Sequence, residues 1–507
     1  MSSTVSSGVL DISRKRQLTI YFAIFTSLFM SALDIHIVAT ALPTIISELG
    51  NMELFGWVSG AYILATAVVT PFYGKMADLF GTKKIFIVAI VLFTVGSLAC
   101  GLAWSMPSLI AARVLQGLGG GGLMTLCFVI LAQIFEPRER AKYQGWSMAA
   151  ISLAGFVGPF VGGTITQLIG WQYIFLLNLP IALLVIGVMT MALPNVEKAS
   201  RAKIDYMGGV LLALIIIAIT FGAEKLAAGQ VGDLGVLVGG LLVIAIAIFI
   251  WIEKKAAEPV LPLQFFSNPT IGISLAMSLI TGFCTLGLMI YFALLLQTLT
   301  GLPPAQAGLM FIPSTIGILL SSAWVGSAIA KTGRYKNYVV VSMGLGFVVL
   351  SLFSMVGAST PLWMIGILMF SYPLAIGLQN QGLMVAVQNA AQAKDMGAVT
   401  GSINLARMIG ASIGLTVNSG LIIAGLASGQ KAMSAENVAR LPKDVTQITP
   451  DVIATLPTDL AMQVVGIFER AFDNIFYFGV GLFAIGFVLS LFLKNVQLPI
   501  DKKKLSR

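Results

Sequence analysis

Apolar stretches of the length needed to cross a bilayer, about 20 residues, recur from one end of the chain to the other, separated by short polar segments. They predict helices near 18–45, 54–74, 85–104, 106–135, 142–168, 171–193, 206–225, 233–252, 270–298, 305–328, 338–358, 362–388, 397–427 and 471–493, fourteen in all. The residue-by-residue alternation of a membrane barrel is absent, so the spans are helical. Helices this apolar all round belong in lipid or in a deep core. The pattern therefore predicts an all-α polytopic membrane protein.

Composition narrows the class. Of 507 residues, 57% are hydrophobic and 10% charged, against about 25% charged in soluble domains. The mean hydropathy is +0.94. Intrinsic disorder, a disulfide scaffold and a soluble enzyme are excluded at this step. Cys100, Cys127 and Cys284 all lie in apolar runs and read as core residues. With a single histidine, no metal site is expected.

Charge placement orients the threading. Of the 30 Lys and Arg residues, 23 fall in one set of alternate loops and 5 in the other, while Arg113 and Arg407 lie within predicted helices. Basic residues accumulate on the cytoplasmic side, so both termini are expected there. The net charge of +9 then faces an anionic inner leaflet and calls for no nucleic acid. Arg14–Lys15–Arg16 precede an apolar run too long for a cleavable signal, which reads as a start-transfer anchor.

The chain repeats itself. G-K-M-A-D-L-F-G-T-K-K (Gly74–Lys84) and G-S-A-I-A-K-T-G-R-Y-K (Gly326–Lys336) share two glycines seven apart and a following basic cluster. Two copies of a six-helix unit, 18–193 and 270–493, are expected, with two inserted helices in a 194–269 linker segment. Residues 1–17 and 494–507 form cytoplasmic ends, and 428–470 a long external loop, read as solvated. Repeated halves with a site at their interface are the build of secondary transporters.

Few residues carry chemistry. Asp34 lies mid-helix within L-D-I-H-I-V-A-T-A-L-P (Leu33–Pro43), and an intramembrane carboxylate is functional by default. A carboxyl group that alternates between wet and dry surroundings changes its hold on a proton, as a proton carrier must. An ion pair with Arg113 is the structural alternative, and the two are compatible. His36 lies ~200° around the helix from Asp34 and reads as a neutral imidazole hydrogen-bonded in the bundle, or as a group titrating in the cycle. The fourth predicted helix holds Arg113 and Gln116 ahead of G-L-G-G-G-G (Gly117–Gly122); no phosphate-loop context surrounds the glycines, which suit close helix packing. The fifth holds G-F-V-G-P-F-V-G-G-T (Gly155–Thr164), whose glycines make a smooth face and whose Pro159 predicts a kink.

In these motifs the chain resembles the major facilitator superfamily, and within it the fourteen-helix drug:proton antiporter subfamily, over all predicted helices. The resemblance implies a cytoplasmic latch at Gly74, Asp78, Gly81, Lys83 and Lys84, and proton coupling through Asp34 and Arg113. It implies an antiporter motif at Gly155, Gly158, Pro159, Gly162 and Gly163. The tract Trp171–Pro180 fits the family too. The sequence departs from it at His36, where a small polar residue is usual. It also lacks an acid in the thirteenth helix, where Asn404 and Arg407 stand, and an Asp in the second-half loop, so an asymmetric latch is expected.

The function expected is export of a small amphipathic, lipophilic cationic compound in exchange for protons, with no cofactor beyond the proton motive force. The bacterial cell membrane is the expected location and the monomer the functional unit. His36, Met30, Phe29, Tyr62, Gln116, Phe292, Gln379, Asn404 and Arg407 are the candidate substrate contacts. A dedicated exporter of one metabolite or anion, using Arg407 and Arg113, is the alternative. No nucleotide-binding motif exists for an ATP-driven pump, and no nucleophile–base or metal constellation for an enzyme.

Overall fold

In the computed structural model Pro137, Pro269, Pro304 and Pro450 each open a helix, while Pro71 and Pro373 lie inside longer ones. The structure describes residues 10, 12–49, 55–195, 206–227, 233–256, 259, 262–302, 304–392, 395–441 and 450–497. The N-terminal group comprises α1 (Arg14–Leu49), α2 (Phe55–Phe80), α3 (Thr82–Gly101), α4 (Met106–Ile134), α5 (Pro137–Leu168), α6 (Gln172–Leu176) and α7 (Asn178–Ala192). Next come α8 (Tyr206–Ala227) and α9 (Asp233–Lys255). The C-terminal group has α10 (Pro269–Thr300), α11 (Pro304–Leu309), α12 (Ile312–Thr332), α13 (Lys336–Phe353), α14 (Leu362–Ala390), α15 (Met396–Lys431), α16 (Ala435–Ala439), α17 (Pro450–Thr455) and α18 (Thr458–Leu491).

Two expected helices are each broken into a short and a long piece. Pro180 has no N–H for the Leu176 carbonyl, and α6 gives way to α7 there; Pro313 does the same to Leu309 between α11 and α12. In α5 the segments Pro137–Gly155 and Phe160–Leu168 diverge by 45°, around the bond that Pro159 cannot make. The region expected as the polar loop 428–470 is partly helical. Its charges interrupt the apolar run, but Leu460, Val464 and Phe468 recur at helical spacing and are buried on the first turns of α18.

Helices cover every segment where the sequence predicts one. Eight spans among the described residues are long and apolar enough to cross a membrane, or nine if the bent α5 is one span. Parts of the expected linkers (196–205, 257, 258, 260 and 261), of the external loop (442–449) and of the ends (1–9, 11 and 498–507) lie outside the described residues.

The groups meet through two glycine crossings. A Cβ on Gly74 of α2 would collide with the carbonyl oxygen of Gly397 on α15, and one on Gly397 with that of Gly74. Gly145 of α5 and Gly326 of α12 pack equally closely, each against the other helix's backbone. Gly74 and Gly326 are the repeat-related residues of the two loops. α8 lies along this seam, its Leu212 and Ile215 clustering with Ala67 of α2 and Leu405 of α15.

Candidate functional site

Asp34 turns away from the seam, into the N-terminal group. The residue is 1% exposed. Arg113 donates to Oδ2 at 2.6 Å from α4, and Oδ1 accepts from Gln116 at 2.8 Å and from Asn178 at 3.0 Å. Arg113 also donates to Gln116 Oε1 (2.7 Å) and to the Val58 carbonyl (3.1 Å), and its guanidinium lies 4.2 Å from the Tyr62 ring centre. Ser97 of α3 closes the network. It accepts from Gln116 and Asn178 and donates to the Phe175 carbonyl. A charge without such partners could not remain so deep. Three helices, α1, α4 and α7, thus meet at one carboxylate, with α3 joined to them through Ser97, and a change in its protonation alters the bonds from α1 to the other two at once.

Asn178 and Ser97 are members of this site that sequence reasoning passed over. The break before Pro180 places Asn178 at the first turn of α7, aimed at Asp34.

A neutral counterpart occupies the other group. Gln379 of α14 donates to Thr281 of α10 and accepts from Ser342 of α13, which also donates to the Ala375 carbonyl. Three elements meet there as at Asp34, but no charge is present among these partners.

His36, two residues beyond Asp34, faces the opposite way and lines a cavity of about 310 Å³ between the groups. Its ring makes no side-chain hydrogen bond among the described residues, contrary to the bundle-bonded imidazole expected. The α5 glycines make room for it. A Cβ on Gly158 would lie 2.6 Å from the His36 Cβ, and one on Gly155 3.3 Å from Nε2. Gly155 itself lines the cavity; Gly162 is buried, Gly163 has open space beside it, and the Pro159 ring lies outside the described side chains. Phe292 is the other expected contact that lines the cavity.

The remaining expected contacts lie elsewhere. Met30 is one helical turn before Asp34 and shares its inward face, 1% exposed. Phe29 packs against the apolar core of the N-terminal group. Tyr62 and Gln116 belong to the Arg113 site and Gln379 to its neutral counterpart. Arg407 donates to Asn404 at 2.6 Å on α15, away from this cavity.

The geometry of the loop motif is a helix cap in trans. Asp395, the N-cap residue of α15, makes no side-chain cap bond. Asp78 at the end of α2 fills that role from the opposite group, accepting from Gly397 N at 3.1 Å and Ala398 N at 2.9 Å. Gly81 turns the chain into α3 with φ +93°, a conformation that favours glycine. Lys83 donates to the Thr190 carbonyl at the end of α7, and Lys84 is exposed. The repeat has no acid at the matching place. There Arg138 of α5 reaches the carbonyl of Lys331 at 3.4 Å, at the C-terminal end of α12. One contact puts an anion on a helix start, the other a cation on a helix end. Beyond the glycine crossing α5 and α12 separate, and the cavity opens between Ile151–Gly155 and Phe311–Ile318.

Two helical groups meeting around an interfacial cavity, with a buried charge network beside it, define a membrane transporter rather than an enzyme. Residues 24–415 match the Major Facilitator Superfamily, and the chain belongs to that family. It is similar to an uncharacterized MFS-type transporter of Mycobacterium tuberculosis, 30% identical over 500 residues, covering 98% of this chain and 72% of the relative. It is 28% identical to the multidrug transporter protein MdtP of Bacillus subtilis, covering 94% and 93% of the two chains. In fold it is similar to the human organic anion transporter MFSD10 (TETRAN), with a TM-score of 0.62 at 15% identity, covering 94% of this chain and 99% of that one. The protein is a multi-pass membrane transporter of this superfamily, and its distant homologues include multidrug efflux transporters.

Proposed function

We propose that the protein is a proton-coupled antiporter that exports small amphipathic compounds, lipophilic cations among them, across a bacterial cell membrane. The observation that carries this reading is on α1, where the Asp34 carboxylate, held by α4 and α7, lies two positions before the cavity-lining His36. A change in protonation at Asp34 loosens or tightens α1 against α4 and α7, and the same helix forms the cavity wall. Fourteen crossings with both termini in the cytoplasm, in two six-helix halves around an inserted pair, fit the reading. The end closed by Asp78 and Arg138 is then cytoplasmic, and the cavity lies on its outer side.

The cycle follows. With the cavity outward, Asp34 takes a proton and substrate leaves; with the cavity inward, the proton leaves and substrate binds. A membrane potential of about 100 mV supplies roughly 2.3 kcal/mol per charge, enough for a roughly 50-fold gradient. The mutual pairing of Asn404 and Arg407, away from the cavity, gives the anion-exporter alternative less support.

The test is uptake into inside-out vesicles, where an imposed pH gradient, acidic inside, drives accumulation of a panel of cationic, neutral and anionic compounds. Several unrelated lipophilic compounds should accumulate and compete. Uptake of a single anion, or accumulation that runs with rather than against the proton gradient, would overturn the proposal.

A further inference from the structure

The hydroxyl groups around the cavity have committed their protons. Thr285 donates to the Thr281 carbonyl at 2.6 Å, Ser152 to Met148 at 3.1 Å and Thr315 to Phe311 at 3.2 Å. Tyr372 donates to the Cys284 carbonyl at 2.5 Å. Ser314 crosses from α12 to the Met369 carbonyl at 2.8 Å, the carbonyl that Pro373 leaves without its helical N–H. A carbonyl only accepts, so each hydroxyl hydrogen lies in its bond and what remains for the cavity is oxygen lone pairs. These five residues and His36 are its polar side chains among the described lining. No carboxylate is among them, and Asp34 faces the other way with both oxygens engaged.

We infer that the cavity selects lipophilic amines in their protonated form, through N–H donation to hydroxyl oxygens and contact with the ring faces of Phe292, Phe311 and Tyr372. The inference rests on the export reading for what the cavity is used for, but not for what it binds. A protonated amine brings a positive charge for the rings and the donor that the lone pairs lack. A quaternary ammonium brings the charge without the donor. A carboxylate meets lone pairs almost everywhere, with His36 as the sole side-chain N–H in the described lining. Selectivity on this account lies in hydrogen-bond polarity, since no counter-ion is provided.

Three probes with one ring system separate these cases: 1-(dimethylaminomethyl)naphthalene, its N-methyl quaternary salt, and 1-naphthylacetate. Equilibrium binding to the full chain in lipid nanodiscs at neutral pH is read by naphthalene fluorescence, with empty nanodiscs subtracted. The tertiary ammonium should bind about tenfold more tightly than the quaternary salt, the effect of one charge-assisted hydrogen bond, and the carboxylate more weakly than either. Thr285→Val with Ser152→Ala, near-isosteric changes that remove two acceptors, should bring tertiary and quaternary affinities within about threefold. Quaternary binding in the same variant reports that the cavity is still formed; if it is lost, the wild-type ratio alone decides. Equal affinities of the two ammonium probes in the wild type, or tightest binding of the carboxylate, would overturn the inference. Because no gradient is applied, a failure of proton-coupled export with the probe ratio intact would sink the export reading and leave this one standing.

Discussion

Removing the Asp78 carboxylate should open the end of the protein where α2 meets α15. In Asp78→Ala the Gly397 and Ala398 amides, the first donors of α15, lose the acceptor that α2 supplies, and Asp395 has no cap bond to replace it. Loss of an N-cap costs about 0.5–2 kcal/mol, and loss of a negative charge at a helix start about 0.3–1 kcal/mol. Because the cap spans the two groups, nearly all of that cost falls on the closed form. The balance between closed and open forms should therefore shift by about 1–3 kcal/mol, or roughly 5- to 150-fold. Pulsed electron paramagnetic resonance between labels at Lys84→Cys and Lys331→Cys reads this directly. Both positions are exposed and belong to opposite groups, while Cys100, Cys127 and Cys284 are buried and escape labelling. The variant should gain a longer-distance population, and Asp78→Asn, which keeps an acceptor, a smaller one. An unchanged distance distribution in Asp78→Ala would refute the capping argument.

Three further outcomes follow from the same contacts. Gly397→Ala should populate the open form by another route, because its Cβ would collide with the Gly74 carbonyl and lie 2.8 Å from Asp78 Oδ2; the same label pair measures it. Arg138→Ala should shift that distribution less than Asp78→Ala, since its bond to the Lys331 carbonyl is longer and exposed. In thermal unfolding, Asp34→Leu and Arg113→Leu should each destabilise by about 3–5 kcal/mol, and the double variant by clearly less than their sum, because each single change strands a buried charge. Additive losses would mean that the two residues do not act as a pair.

Charge was the most legible feature of the sequence. Asp34 and Arg113 stand out because ionised groups are rare in apolar helices, and they form one ion pair. Asn178 and Ser97 gave no such signal. An amide or hydroxyl in an apolar run is common, and nothing in the spacing ties 178 to 34; the one clue was its place just before Pro180, a residue that removes a helical bond. Rotation about a helix was harder to read than its extent. Met30 and His36 are both close to Asp34 in sequence, yet one turns into the N-terminal group and the other into the cavity. The Ser and Thr hydroxyls of the cavity were invisible, since such residues in membrane helices so often bond their own backbone. The Gly74/Gly326 repeat was legible as a motif, but its purpose needed the partners Gly397 and Gly145, which lie far away in the chain.

On the proposed function, Asp34 couples proton movement to the cavity. The most direct test is proton release from acidified inside-out vesicles, followed with a pH-sensitive dye while a lipophilic amine is added to wild type and Asp34→Asn, with the passive collapse in transporter-free vesicles, where the neutral base crosses and takes up a lumenal proton, subtracted from both. The probe binding described above, measured on the same variant, reports whether the cavity is intact. The compound should collapse the gradient in wild-type vesicles and leave it standing in Asp34→Asn vesicles whose protein still binds the amine. Collapse at the wild-type rate in Asp34→Asn would contradict it.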